Sequence, residues 1–213
     1  GASAGFEIAF CITFFTGLLM WLLTRRYKRE LIPRDGFLLV TMAWVLLALA
    51  ATIPLYVNIE GISFVHAFFE ATSGITTTCG TILSGLDRLP LSVNFWRCFL
   101  AWMGGIGILV MAVAVLPLLG VGGSQIFRAE SSGPMKEGRL TPRIADTAKA
   151  FYNIYLAISV ACAVCYHFAG MDWDDAIMHT FTTVSLGGYS SHDAGFAYWP
   201  GRAVDWVCVV FLL

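Results

Sequence analysis

The chain has 213 residues, of which 58% are hydrophobic and 13% are charged, and its formal net charge is −1. Soluble domains carry about 25% charged residues, so a chain this apolar is not a soluble domain and belongs in a bilayer. Its six cysteines are scattered through apolar stretches, which excludes a small secreted scaffold built on disulfides.

Four apolar runs are long enough to cross a membrane as helices, because a spanning helix needs about 20 residues. They cover residues 6–23, 37–57, 95–119 and 148–169. A fifth run begins near Ala203 and reaches Leu213 after about half the length of a span. We therefore expect the chain to be a fragment of a longer protein.

Two shorter segments, residues 63–75 and 173–184, lie after the second and fourth spans. At about 1.5 Å per residue, each reaches roughly 20 Å or less and cannot cross the hydrocarbon core. They are predicted to be half-helices that enter the membrane and return to the same side.

Lysine and arginine indicate the orientation, because cytoplasmic loops carry an excess of both. Ten of the thirteen fall in two segments: Arg25, Arg26, Lys28, Arg29 and Arg34, then Arg128, Lys136, Arg139, Arg143 and Lys149. Both segments lie on the cytoplasmic side only if residues 63–75 do not cross. The opposite face is rich in aspartate, either as a vestibule that concentrates cations or as ordinary loop charge.

A faint internal repeat appears when the sequence is shifted along itself without a gap, so that residues 76–81 fall over residues 185–190. Each copy reads as helix, half-helix, polar or glycine-rich turn, and helix. Interrupted segments at matching positions point to the transport site of a membrane transporter.

The two turns have the chemistry of a cation pathway. Irregular backbone at membrane depth must be buried in protein or line a water-filled cavity, and backbone carbonyls can replace the hydration shell of a potassium ion. The threonine hydroxyls of the first turn can add further oxygen ligands. Gly187 and Gly188 allow backbone angles that other residues avoid. The alternative from spacing alone is a buried polar loop in a membrane protein of another kind.

Several stretches resemble one family closely. They are AFFEATSGITTT at 67–78, LSGLD at 83–87, WMGGIGI at 102–108, LPLLGVGG at 116–123, RAE at 128–130, GP at 133–134, LTPRIA at 140–145 and LGGYSSHDA at 186–194. With these motifs the chain resembles the Trk-type family of bacterial potassium uptake proteins, almost continuously from about Arg34 to Tyr198.

The resemblance implies an all-α integral membrane protein with four helix, half-helix, helix units around a pseudo-fourfold, potassium-channel-like pore. About two units are present. Residues 1–34 would form a preceding transmembrane helix and basic loop, 35–123 the first pore repeat, 124–147 a cytoplasmic linker, and 148–213 a second repeat truncated in its last helix.

The function implied by the resemblance is potassium uptake across the bacterial inner membrane, without enzymatic chemistry. The implied partners are potassium, membrane lipid, the remaining two pore repeats, a second copy in a homodimer and a cytoplasmic nucleotide-binding regulatory ring. Neither an organic cofactor nor a nucleic acid is expected.

The resemblance places the potassium filter on the two turns. The residues concerned are Thr76, Thr77, Thr78, Cys79, Gly80, Ser185, Leu186, Gly187, Gly188 and Tyr189. Among them Thr77, Thr78, Leu186 and Gly187 are the expected potassium ligands. The family glycine of the first repeat falls on Cys79, with Gly80 one place later. Either Cys79 adopts the filter conformation, or the turn shifts by one residue.

Neighbouring residues carry further expectations. Glu70 is predicted either to shape the electric field at the pore or to bond the filter backbone from behind, and the structural role is favoured. Arg97 is predicted to extend to the membrane interface. Gly104, Gly105 and Gly107 are predicted to allow close helix approach beside the pore.

Two other functions compete with potassium uptake as explanations of this sequence. An intramembrane serine protease would use Ser73 with His167 or His179 as its base, which requires hydrogen-bond contact between them. A purely structural membrane anchor would leave the threonine and glycine turns unexplained.

Overall fold

A computed structural model of the chain describes residues 3–27, 33–115 and 140–213, and the regular structure of this part is entirely helical. The helices are α1 Ser3–Thr24, α2 Pro33–Asn58, α3 Phe64–Ile75, α4 Leu91–Val115, α5 Leu140–Phe168, α6 Trp173–Val184 and α7 Ala203–Leu212, with short 3₁₀ helices at Leu86–Arg88 and Gly195–Tyr198. Four of them, α1, α2, α4 and α5, are long and apolar enough to cross a membrane. The predicted all-α membrane fold is confirmed.

The short helices α3 and α6 each have 12 residues and agree closely with the predicted half-helices. Ser63 caps α3, because its side chain accepts a hydrogen bond from the backbone N–H of His66 at 3.2 Å. In α6 the first turn carries Asp174 and Asp175, whose negative charge suits the positive end of a helix. Each helix rises about 18 Å, which is too short to span the bilayer.

Helices α2, α3 and α4 pack into one unit around a core of small and aliphatic side chains. This core consists of Ala48, Ala51, Leu55, Ala67, Ala71, Ile75, Val93 and Leu100. Small side chains at helix contacts let the backbones approach closely, which compensates for the weak hydrophobic drive in lipid. The indole N–H of Trp96 also donates to the carbonyl of Ala51 at 3.1 Å.

Helices α5, α6 and α7 form the second unit in the same order. Its buried cluster contains Cys162, Tyr166, Met171, Ala176 and Val204. The hydroxyl of Tyr166 is 2.7 Å from that of Thr183, which ties α5 to the end of the half-helix α6.

Helix α4 contacts both half-helices. A Cβ on Gly104 would overlap the carbonyl oxygen of Ile75 at the end of α3 and lie 2.8 Å from its carbonyl carbon. A Cβ on Gly105 would lie 3.0 Å from the Cβ of Ser185, just beyond α6. Two consecutive glycines therefore let one helix touch the ends of both half-helices, as predicted for close helix approach. The prediction does not hold for Gly107, because a Cβ there would lie 3.6 Å from the ring of Trp44, an ordinary contact.

The outer faces of the spanning helices are apolar. In α1 the side chains of Phe10, Phe15 and Leu23 are each about two thirds exposed, at 66%, 64% and 65%. Exposed apolar surface of this extent is expected where lipid is the solvent.

The spanning helices begin earlier than the apolar runs that predicted them, by three or four residues in α1, α2 and α4. Helix α5 begins at Leu140, two turns before the predicted start of the span at residue 148. Most of the predicted linker 124–147, and basic residues such as Lys28, Arg128 and Lys136, lie outside the described residues.

Candidate functional site

Each half-helix is followed by a turn with positive φ at the same two positions of the repeat. In the first turn these are Thr77 (φ 57°) and Cys79 (φ 50°). In the second turn they are Leu186 (φ 58°) and Gly188 (φ 111°), which are the residues that the sequence repeat places over them. Side-chain-bearing residues seldom adopt positive φ, so such conformations persist where surrounding contacts impose them. Cys79 thus has the conformation expected of the family glycine, whereas Gly80 does not have a positive φ.

The same hydrogen bonds fasten both turns to their half-helices. In the first repeat the hydroxyl of Ser73 donates to the carbonyl of Gly80 at 2.7 Å. In the second, the hydroxyl of Thr182 donates to the carbonyl of Tyr189 at 2.8 Å. The sequence shift that places residues 76–81 over 185–190 also places Ser73 over Thr182 and Gly80 over Tyr189. The sequence repeat is therefore also a repeat of backbone geometry.

The two turns lie against each other. A Cβ on Gly187 would be 2.5 Å from the Sγ atom of Cys79, so the thiol fills the space that a larger residue at 187 would need. Tyr189 and Cys79 also belong to a small cluster with Cys98 and Met178 that joins the two repeats. Cys79 of the first turn thus meets Gly187 and Tyr189 of the second.

Several carbonyl groups of the turns are free. Hydrogen bonds within the described residues leave the carbonyl oxygens of 76–79 and 185–188 without a donor. The backbone here is partly open: Thr76, Thr78, Gly80, Leu186 and Gly188 are exposed, Thr77, Cys79 and Gly187 are half-buried, and Ser185 and Tyr189 are buried. Lipid cannot satisfy such carbonyls, whereas water in a cavity or a bound cation can.

A buried ionisable side chain supports each turn from behind. Glu70 of α3 accepts hydrogen bonds from the hydroxyl of Thr81 at 2.8 Å and the backbone N–H of Ile82 at 3.3 Å. At the matching position of α6, His179 contacts the hydroxyl of Ser190 through Nε2 at 3.0 Å. Glu70 therefore binds backbone just beyond the turn.

The expectation for Arg97 was wrong. Its side chain is fully buried rather than extended to the interface, and its Nε atom is 2.7 Å from Oε1 of Glu70. The reason is that α4 begins at Leu91, so Arg97 lies almost two turns inside the helix, beside α3. A buried guanidinium requires a paired anion, and Glu70 is that anion.

The geometry does not favour the serine protease. The hydroxyl of Ser73 is bonded to the carbonyl of Gly80. His167 contacts the carbonyl of Met171, and His179 contacts the carbonyl of Asp175 and the hydroxyl of Ser190. Neither histidine is hydrogen-bonded to Ser73 as a general base would be.

A histidine between two carboxylates joins the repeats beyond the turns. His192 contacts Asp87 through Nδ1 and Asp175 through Nε2, the latter at 3.2 Å, and its ring stacks on Tyr198 with centroids 3.6 Å apart. The nearby carboxylate of Asp193 accepts hydrogen bonds from the backbone N–H groups of residues 85 and 86. Sequence alone does not reveal this cluster, because Asp87 comes from the first repeat and the other members come from the second, about 90 residues or more further along the chain.

The charges of this cluster shift one another's pKa. Burial lowers the pKa of His192, but its hydrogen bonds to Asp87 and Asp175 outweigh burial and raise the pKa above the ordinary histidine value. The hydrogen bond from His192 in turn lowers the pKa of Asp87. The cluster is therefore strongest when His192 is protonated and both carboxylates are ionised.

We expect the full-length protein to lose stability through this cluster as the pH rises above about 6.5. Because the folded-state pKa of His192 is raised, its contribution is complete below about pH 6.5 and disappears as the pH rises through the raised pKa. The melting temperature should fall over that range, and His192→Asn should flatten the dependence. His66→Asn, at an exposed histidine, is the control. An unchanged pH profile in His192→Asn would contradict the assignment.

Comparison with known proteins shows the family to which the chain belongs. A family model described as TrkH, a cation transport protein, matches residues 2–213. The Trk system potassium uptake protein TrkH of Vibrio parahaemolyticus is 48% identical to it, across 100% of this chain and 44% of that protein. The Trk system potassium uptake protein TrkG of Escherichia coli is 41% identical, across 98% of this chain and 43% of that protein.

A solved structure has the same fold as this chain. The crystal structure of the potassium transporter TrkH from Vibrio parahaemolyticus matches with a TM-score of 0.85 and 44% sequence identity, across 99% of this chain and 42% of that chain. This chain thus spans less than half the length of the relatives that it matches. On both sequence and fold, it belongs to the TrkH family of cation transport proteins.

Proposed function

We propose that this chain supplies two of the four pore repeats of a protein that takes up potassium across the bacterial inner membrane. The observation that carries the proposal is the pair of matching turns, with positive φ at Thr77 and Cys79 and again at Leu186 and Gly188, in contact with each other. The relatives at 48% and 41% identity are named as potassium uptake proteins, which supports the same ion.

The chemistry is coordination, and no covalent step or enzyme is involved. Carbonyl oxygens of Thr77, Thr78, Leu186 and Gly187 would replace water around the ion, with other carbonyls of the two turns completing the set. The half-helices α3 and α6 end at these turns, so the negative ends of their dipoles favour a cation there.

The remaining repeats would complete the ring of ligands. Leu186 is 67% exposed, and Thr78 and Gly188 are also exposed, which leaves open the side of the turns that a full pore would enclose. We propose that residues 1–34 form the preceding helix and basic loop and residues 35–123 the first pore repeat. Residues 124–147 would form the cytoplasmic linker, and residues 148–213 the truncated second repeat.

We also propose two protein partners, which the resemblance to the Trk-type family implies. A second copy would form a homodimer, and a cytoplasmic nucleotide-binding ring would regulate the pore. Chemical crosslinking of the full-length protein in membranes, with and without nucleotide, tests both.

The function is tested by rubidium uptake in cells that lack other potassium systems and express the full-length protein. We expect potassium to compete with rubidium far better than sodium does. Uptake that is absent, or equally sensitive to sodium, would contradict the proposal.

A paired substitution tests whether the turns work in contact. Gly187→Ala should lower uptake, because the new Cβ meets the Sγ atom of Cys79 at 2.5 Å while the φ of Gly187 is not positive. Cys79→Gly removes that sulfur and should restore uptake to Gly187→Ala. Gly17→Ala, with no atom within 4 Å of the new Cβ, is the control. If the double variant is no better than Gly187→Ala alone, the two turns do not meet as described.

A further inference from the structure

In the buried ion pair of Arg97 and Glu70, every guanidinium nitrogen and both carboxylate oxygens make at least one hydrogen bond. Besides the 2.7 Å contact between Arg97 Nε and Glu70 Oε1, Arg97 donates from Nη1 to Asn94 Oδ1 at 3.1 Å and from Nη2 to Thr81 Oγ1 at 3.0 Å. Both charged side chains have no exposed surface. The guanidinium is therefore fixed in one orientation, which a lysine at this position could not reproduce.

Tyr189 of the second turn packs against this ion pair. The guanidinium carbon of Arg97 lies 4.4 Å from the centroid of the Tyr189 ring, a cation–π contact. The hydroxyl of Tyr189 donates to the backbone carbonyl of Glu70 at 3.0 Å. The same ring lies 3.4 Å from where a Cβ on Gly74 would be. The side chain of Tyr189 is thus held by the first repeat, although its backbone belongs to the second.

The arrangement has no counterpart among the described residues of the second repeat. His179 and Ser190 take the positions of Glu70 and Thr81, but the position matching Arg97 is Trp206, which is 66% exposed. The position matching Tyr189 is Gly80, which has no side chain. The first repeat therefore extends an ion pair to the second turn, whereas the matching position of the second repeat carries an uncharged tryptophan that cannot do the same.

We propose that Arg97 is a positioning residue for the second turn: with Glu70 it fixes Tyr189, and through Tyr189 the carbonyl geometry at Gly188. This inference rests on the proposed potassium uptake. Tyr189 directly follows Gly188, and its own carbonyl accepts the hydroxyl of Thr182. A shift of the Tyr189 ring would therefore move the backbone of the turn. A buried ion pair adds little net stability, so its use here is to specify geometry.

The test combines potassium selectivity with the reactivity of Cys79, whose sulfur lies between the turns. In the full-length protein, Arg97→Lys keeps the positive charge but loses the planar guanidinium, whose N–H donors have a fixed geometry. We expect discrimination between potassium and sodium, measured by competition with rubidium uptake, to fall about tenfold. Alkylation of Cys79 by a small thiol reagent, followed by mass spectrometry of its peptide, should become several-fold faster. Arg88→Lys, at an exposed arginine, should change neither.

A double-variant comparison shows whether Arg97 acts through Tyr189. In a Tyr189→Leu background, Arg97→Lys should have little further effect on selectivity. Effects that multiply as independent changes would overturn the proposal, as would an Arg97→Lys protein with unchanged selectivity and unchanged Cys79 alkylation. If Arg97→Lys does not assemble, Tyr189→Phe, which removes only the hydroxyl bond to Glu70, should give the same changes at smaller amplitude.

The two readouts separate this inference from the proposed function. Alkylation of Cys79 does not depend on transport. If the wild-type protein takes up no rubidium, potassium uptake fails, whereas the alkylation rates still support or overturn the role of Arg97.

Discussion

Gly104→Ala is expected to destabilise the protein more than any other single methyl addition in α4. The new Cβ would overlap the carbonyl oxygen of Ile75, which is backbone and cannot turn away as a flexible side chain would. Overpacking of this kind costs about 1–3 kcal/mol. Since Ile75 immediately precedes the first turn, we also expect rubidium uptake to fall.

The matched control is Gly107→Ala on the same helix. Its Cβ would lie 3.6 Å from the ring of Trp44, an ordinary contact, and alanine favours helix over glycine by about 1 kcal/mol. Thermal unfolding of the purified full-length variants, with uptake measured in parallel, gives the comparison. If Gly104→Ala unfolds at the same temperature as Gly107→Ala, the close approach of α4 to α3 is wrong.

Gly188→Ser is expected to reduce discrimination between potassium and sodium strongly. The φ of Gly188 is 111°, beyond the left-handed region that residues with side chains can enter. A Cβ there would meet no atom within 4 Å, so the effect would come from the backbone alone. Strain of this kind costs about 1–3 kcal/mol, which the turn would relieve by moving its carbonyls.

Cys79 provides the contrast for that experiment. Its φ of 50° lies in the left-handed region, where a side chain is already accommodated. Cys79→Ser should therefore disturb uptake much less than Gly188→Ser, and Cys79→Gly should be tolerated. The measurements are the affinity of uptake for potassium and its competition by sodium. Intact selectivity in Gly188→Ser together with abolished uptake in Cys79→Gly would show that the filter is assigned to the wrong residues.

Local sequence was enough to predict the half-helices. Each is a segment too short to span the membrane, and a polar or glycine-rich turn follows it. The structure adds that Ser63 caps α3 and that aspartates begin α6, which are also local features. The repeat could also be predicted, because one constant offset along the sequence relates both turns without a gap. These features depend on neighbours in the sequence, which a single sequence displays.

Contacts between distant segments could not be predicted in this way. The position of Arg97 in its apolar run suggested the interface, since nothing near it in sequence shows that Glu70, on a different helix, lies beside it. The choice between Cys79 and Gly80 was open for a related reason. Cysteine has no intrinsic preference for positive φ, so its conformation is imposed by the surrounding fold rather than by its own chemistry.

The position of α4 between the half-helices has a consequence for biosynthesis. The end of α3 packs against Gly104, and α3 is synthesised before α4. The end of α6 packs against Gly105, and α6 is synthesised only after α5. The first half-helix therefore has its docking surface as soon as α4 is inserted, and the second arrives at a surface that is already in place. We expect insertion to proceed in chain order, with α4 as the template on which the later half-helix folds.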